Sequence, residues 1–163
     1  MKLIARTPTN GFINKAIAWY TSPLNEKFNG KWKQNGYSHT EIKFDNDMCI
    51  SASQYENAVR KKRIAANVPE WETIDLSTIA TPEEKEACYA WMKSQLGKKY
   101  DYFGILGFLS WFLISENPKR WFCSEICHAA LVENVRSYRN VWGLIPPHTV
   151  SPRKLVDMVK GLG

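Results

Sequence analysis

Tyr37-Ser38-His39-Thr40-Glu41-Ile42-Lys43-Phe44, then Asp45-Asn46-Asp47, then Met48-Cys49-Ile50-Ser51-Ala52-Ser53, is the stretch on which the reading of this 163-residue chain turns. Its first part alternates with the period of a strand, setting Tyr37, His39, Glu41 and Lys43 on one face and Ile42 and Phe44 on the other. A polar turn and a second run returning from it make a hairpin. Slipping the register by one residue would move every apolar side chain to the wrong face, so Phe44 is expected opposite Met48 and Ile42 opposite Ile50. The same register sets Glu41 opposite Ser51 and His39 opposite Ser53. A face carrying His39, Glu41, Ser51 and Ser53 suits a polar cleft and would not be tolerated in a core.

Outward from the hairpin, Lys2 to Arg6 reads as a short strand. Phe12 to Tyr20 reads as an amphipathic helix capped by Asn10, with Phe12, Ile13, Ala16, Ile17 and Tyr20 facing inward. Thr21 to Gly36, rich in Asn, Gly and Pro, reads as loop. Downstream, strands are expected near Ala58 to Ala65 and Glu72 to Leu76. Thr81-Pro82-Glu83-Glu84 is a capping box opening a helix whose apolar stripe is Ala87, Cys88, Trp91, Met92 and Leu96, ended by Gly97. Trp142 to Pro147 reads as extended, and Ser151-Pro152 starts a last helix with Leu155, Val156 and Val159 inside. A helix, then a strand meander, then helices indicates an α+β fold in a single domain over residues 1–163.

Composition sets the bounds. Hydrophobic residues at 44% and charged residues at 23% are ordinary for a globular chain long enough to bury roughly two-thirds of its unfolded surface. The net charge of +6 favours an acidic partner such as an anionic lipid surface, a cell-wall polymer or nucleic acid. The only dense basic run, Arg60 to Arg63, reads as a solvated strand edge, and without a nucleic-acid motif beside it specific nucleic-acid binding is disfavoured. No glycine-rich phosphate loop points to a nucleotide enzyme. Met1 to Arg6 lacks the apolar core of a signal peptide, which places the chain in the cytoplasm, released by lysis if a phage encodes it. Cys49, Cys88, Cys123 and Cys127 then need no disulfide framework. Phe103 to Ile114 is apolar but short of the roughly 20 residues of a membrane span. It reads as a buried helix, with contact to a membrane surface as the alternative.

A second stretch carries chemistry: Arg120-Trp121-Phe122-Cys123-Ser124-Glu125-Ile126-Cys127-His128-Ala129-Ala130-Leu131. From Ser124 the apolar residues recur at helical spacing, so Cys123 falls where a helix begins and runs to about Val135. Unsatisfied N–H groups and the positive dipole end there favour a thiolate and can hold a developing oxyanion. A cysteine nucleophile needs a base and the base needs an orienting group. His39 is the candidate base and Glu41, on the same strand face, the candidate orienting residue, with Ser51 or another acceptor as alternatives. Candidate substrate contacts are Tyr37, Ser51, Ser53, Ser124 and Tyr102.

Ser38-His39-Thr40-Glu41-Ile42, Ile50-Ser51-Ala52-Ser53, Gly97-Lys98-Lys99-Tyr100-Asp101-Tyr102 and Phe122-Cys123-Ser124-Glu125-Ile126, in this order, resemble the circularly permuted branch of the NlpC/P60 papain-like superfamily. That branch includes the YiiX-like and lecithin retinol acyltransferase-like proteins, in which the histidine strand precedes the cysteine helix. The resemblance spans about residues 37 to 128. It implies a permuted papain-like fold, an antiparallel sheet packed against helices, with Cys123 as nucleophile, His39 as base and no cofactor. The third polar residue of many family members would fall near Ser51, a weak acceptor for imidazolium, and Glu41 is the better candidate.

The implied activity is a cysteine hydrolase acting as a monomer on an amide or acyl bond, for instance in a cell-wall peptide. The alternatives are an acyltransferase, thioesterase or lipase-type enzyme on lipid acyl esters, and a papain-like module that binds its partner without catalysis. A zinc site built from Cys123, Cys127, His128 and His39 is disfavoured, because His128 directly follows Cys127 and is turned well around the helix from it.

Overall fold

The computed structural model of the protein describes residues 1–102 and 120–163. Seven strands form one sheet: β1 Lys2–Arg6, β2 His39–Lys43, β3 Met48–Ser53, β4 Ala58–Arg63, β5 Trp71–Asp75, β6 Lys99–Tyr100 and β7 Arg120–Trp121, in the order β5-β1-β2-β3-β4-β6-β7. Leu3, Ile4 and Ala5 of β1 are fully buried, as a strand between two neighbours with both faces covered requires. Every pairing is antiparallel except that of β6 with β7, which run parallel as Lys99↔Arg120 and Tyr100↔Trp121. The wholly antiparallel sheet expected from the sequence is corrected there. A parallel pair cannot be joined by a tight hairpin, and these two strands lie about twenty residues apart in the chain.

The hairpin takes the register that burial demands. Ile42 pairs with Ile50 and Lys43 with Cys49, and the Phe44 N–H donates to the Met48 carbonyl at 2.7 Å. Beyond Ile42↔Ile50 the direct ladder stops, and Ser51 Oγ donates to the Thr40 carbonyl at 2.7 Å instead. β3 and β4 stay paired along their whole length, from Met48↔Arg63 to Ser53↔Ala58.

Seven α-helices are described: α1 Phe12–Thr21, α2 Leu24–Phe28, α3 Trp32–Asn35, α4 Pro82–Ser94, α5 Cys123–Asn134, α6 Arg136–Trp142 and α7 Pro152–Lys160. The α+β class expected from the sequence is the observed one. α5 packs on β2 and β3 and also touches α4, α6 and α7. Ile126, Cys127, Ala130 and Leu131 close onto Ile42, Ile50, Ala52 and Val59, so this helix forms the centre of the main core. His128, on the same helix, is also fully buried. Its Nε2 lies 2.9 Å from the Ile145 carbonyl, which can only accept, so Nε2 carries the hydrogen and Nδ1 accepts from the Tyr138 hydroxyl at 2.8 Å. Burial lowers the pKa of this ring and keeps it neutral.

α4 and α7 follow their capping signals. Thr81 and Glu84 make both halves of the box, and Ser151 Oγ accepts from the Lys154 N–H. In α4, Cys88 and Met92 are fully buried, whereas Ala87, and Leu96 just past the helix end, are exposed. α1 departs from expectation: Gly11, not Asn10, sits at the cap, and Phe12 is 86% exposed. Its buried residues are Asn14, Ile17 and Ala18. The stripe is displaced because Asn14 is drawn inward, donating to the Tyr55 hydroxyl at 3.1 Å and accepting from Gln54 Nε2 at 2.9 Å. The stretch read as loop between Thr21 and Gly36 contains α2 and α3, and α6 was not foreseen. The apolar run Phe103 to Ile114 lies outside the described residues. Among those described, no helix is long and apolar enough to cross a membrane.

Gly36 links α3 to the approach of β2, at a point where a Cβ would stand 2.5 Å from the Trp32 carbonyl oxygen and 3.0 Å from Ala18 Cβ. Gly36→Ala is therefore expected to cost about 1–3 kcal/mol, the usual penalty of overpacking, read as a lowered urea midpoint. An unchanged midpoint would show that α3 and α1 are not seated together as described.

Candidate active site

Cys123 is the first residue of α5 and is fully buried. The chain enters the helix through Phe122, in extended conformation, whose N–H donates to Glu125 Oε2 at 3.0 Å. Phe122 has no side-chain acceptor, so only this half of a capping box is made. Its ring packs against Tyr100 with centroids 5.8 Å apart. Ser124 Oγ donates to the Val150 carbonyl at 2.5 Å, tying the first turn of the helix to the segment that leads into α7.

His39 opens β2 and interacts with both Cys123 and Glu41. Its Nε2 lies 3.0 Å from Glu41 Oε1. A carboxylate only accepts, so Nε2 carries a hydrogen and Nδ1 is left for the sulfur. Burial by itself would lower the histidine's pKa, but hydrogen bonding and charge interaction with the Cys123 sulfur and the Glu41 carboxylate outweigh it and push it up to about 9. At neutral pH the ring is held as imidazolium.

Glu41 is buried, with a side chain 1% exposed, and it stays charged. Burial alone would raise its pKa. Arg60 and His39 override that and lower it. The Arg60 guanidinium grips the carboxylate with both arms, Nη1 to Oε2 at 2.7 Å and Nη2 to Oε1 at 2.6 Å. Glu41 and Arg60 sit on β2 and β4, on either side of β3, and the β3 residue paired with Arg60 is Ser51. A side chain this small lets the arginine reach across the strand. Ser51 spends its hydroxyl on Thr40, and Glu41 is the residue that contacts the histidine.

A cavity of about 320 Å³ opens over this group, lined among others by His39, Glu41, Ser53, Arg60 and Tyr100. Of the substrate contacts expected from the sequence, Ser53 is here, with its hydroxyl donating to the Glu56 carboxylate. Tyr102 is next to it: its ring meets Tyr100 at 5.0 Å and its hydroxyl donates to the Gln54 carbonyl at 2.7 Å, beside a neighbouring hollow that Asn14 and Tyr55 also line. The structure places the other three away from the cavity. Tyr37 is buried and donates to the Glu72 carboxylate, Ser124 is fixed on Val150, and Ser51 on Thr40.

Two residues of the site escaped the sequence reading. Arg60, taken for a solvated strand edge, has a side chain only 15% exposed, and Tyr100 is buried at the cavity wall close enough to Cys123 for charge on the sulfur to raise its pKa further beyond the effect of burial. Alternation along β4 was the available signal for Arg60, because it puts Arg60 and Lys62 on one face and Val59 and Lys61 on the other.

Cys127 packs one turn below Cys123 with its sulfur 3.7 Å from the Thr40 carbonyl, and burial pushes its thiol up. His128 is committed to Tyr138 and Ile145. Among the described residues no three His, Cys, Asp or Glu side chains gather as a metal would require. The chain matches no family model, and no curated protein or solved structure is detectably similar to it.

Removing Arg60 leaves a buried carboxylate with its main partner gone. Arg60→Met is expected to cost about 3–5 kcal/mol in chemical denaturation, and Arg60→Met with Glu41→Leu less than Arg60→Met alone, since the double variant buries no uncompensated charge. The pH dependence follows from the two shifts. The raised histidine stabilises fully below pH 6.5, and its contribution fades as pH climbs towards about 9; the lowered Glu41 stabilises above its ordinary 4.5, and its contribution fades as pH falls below that. The melting temperature should peak between these limits, and His39→Gln should flatten the alkaline side.

Proposed function

We propose that the protein is a cysteine hydrolase acting on an amide bond, with a fold of the permuted papain-like NlpC/P60 kind that its motifs resemble. The observation that carries this reading is His39 bonded to a buried Glu41 that is itself clamped by Arg60, with Cys123 at the start of α5 near enough for its sulfur to influence the charge of the histidine. A structural cysteine needs no such arrangement. A nucleophile needs all of it: a base within reach, a third group to orient that base, and a helix N-terminus under the reacting atom.

The chemistry follows from the proton inventory. In the attacking form of the pair the proton sits on His39, and the Cys123 sulfur adds to the carbonyl carbon. The carbonyl π electrons move to oxygen, and the oxyanion is stabilised by N–H groups of the first turn of α5, which have no partner within the helix. The intermediate collapses by breaking the C–N bond as Nδ1 of His39 gives its proton to the departing amine. Neutral His39 then takes a proton from water, whose oxygen attacks the thioester carbon and expels the thiolate. Glu41 keeps the ring oriented and the imidazolium stable throughout, and Arg60 keeps Glu41 ionised. A peptide amide, such as one in a cell-wall peptide, is the substrate this cycle suits.

The decisive experiment is the pH dependence of Cys123 alkylation by iodoacetamide, located by peptide mapping because the chain has four cysteines. Fast reaction near pH 6 is expected, displaced to alkaline pH by His39→Ala, with Glu41→Gln showing a smaller displacement in the same direction. Reaction no faster than that of a model thiol and indifferent to both substitutions would replace the hydrolase with a non-catalytic binding module.

A further inference from the structure

Three strands carry adjacent side chains at one end of the cavity. Arg6 of β1 pairs with His39 of β2 on one side and with Trp71 of β5 on the other. Directly opposed residues of antiparallel strands share a face, so the three side chains form a row. The contacts agree: the Arg6 guanidinium lies 5.7 Å from the centroid of the Trp71 ring, and the His39 and Trp71 rings meet edge-on at 6.2 Å. All three line the cavity.

The other cations there are occupied. Arg60 is bound to Glu41, and Lys62 lies 3.5 Å from Glu56. Arg6 differs. Its guanidinium makes no hydrogen bond or ion pair with any described residue, and its Nε is buried without a partner. The cation–π contact with Trp71 places the guanidinium beside the ring but satisfies none of its N–H groups. A planar fork of donors, unsatisfied at a cavity wall, matches the geometry of an oxyanion that accepts through two atoms.

We propose that Arg6 anchors an oxyanionic group of the substrate, a carboxylate or a phosphate, one side chain away from the scissile carbonyl. This deepens the hydrolase reading and rests on it for the word substrate: the acyl donor is acidic near the bond that is cut. Trp71 is the positioning residue, its ring set beside the guanidinium. The arrangement also assigns a role to a cation whose neighbour, His39, is itself charged. Two like charges side by side repel, and a bound anion between them removes that repulsion.

The test uses the full chain and two alkylating agents of similar size, neutral iodoacetamide and anionic iodoacetate. Each forms an S–CH2 bond with loss of iodide, and peptide mapping assigns the product to Cys123. The ratio of iodoacetate to iodoacetamide rates, relative to that of a free thiol, is expected to be raised. Arg6→Gln should lower it about 10- to 100-fold, the range of one hydrogen bond to an ion, and Arg6→Lys should retain part of it. A ratio that Arg6→Gln leaves unchanged overturns the proposal. If Cys123 reacts slowly with both reagents and ignores His39→Ala, the hydrolase reading has failed, and the anion site is read directly. The Nε–H resonance of Arg6, assigned by its loss in Arg6→Gln, should then shift on titration with succinate or methyl phosphate and stay still with succinamide. Response to one anion and not the other identifies the anchored group, and response to neither overturns the proposal.

Discussion

A carboxylate buried in a protein is costly unless it is matched, and everything at the candidate site depends on how Glu41 is matched. The guanidinium of Arg60 takes both oxygens, one of which also accepts from His39. The desolvation that would otherwise protonate Glu41 is offset by these bonds, so a full negative charge persists beneath the histidine. That charge places the Nε2 hydrogen of the ring on the Glu41 side and favours its protonated form. Without Arg60 the carboxylate would stand buried with only the histidine to match it.

The fold supplies this arrangement through strand order. β2 and β4 lie on either side of β3, so Glu41 and Arg60 can meet only across that strand, and the residue between them is a serine. The same serine bridges β2 and β3 where their ladder ends. α5 crosses the strands at this point, with Cys127 against Thr40, and carries Cys123 to the histidine. On the far side of the helix, His128 ties it to α6 and to Ile145, fixing its rotation about its own axis. Cys123 is thus held in place by contacts on two faces of the helix.

Much of this was legible in the residues. Alternation from Tyr37 to Phe44 and the cost of a register slip were enough for the hairpin, and they put His39 and Glu41 on one face two residues apart. The capping residues Thr81 and Ser151 marked two helix starts, and the switch to helical spacing after Cys123 marked a third. The failures have physical causes. Asn14 looked polar and outward, but partners from a turn far along the chain bring it inside and leave Phe12 in solvent. Arg60 looked like one of four cations on an exposed edge, because nothing local says that an acid two strands away will claim it. Tyr37, Ser51 and Ser124 were right in residue type for a polar site but had nearer partners in the backbone or in Glu72. Tertiary hydrogen bonds of this kind leave no periodicity to read.

The two shortest strands have a consequence for how such a chain can change over generations. Lys99 and Tyr100 pair directly with Arg120 and Trp121, so the two ends of the intervening chain are stapled a strand's width apart, immediately before the cysteine. Closing a longer connection between ends already held together costs little, about 0.6 kcal/mol for each doubling of its length. By that measure a change in the length of the connection weighs little on the pairing of β6 with β7, and a lineage can lengthen or shorten it without unpicking the sheet edge next to Cys123.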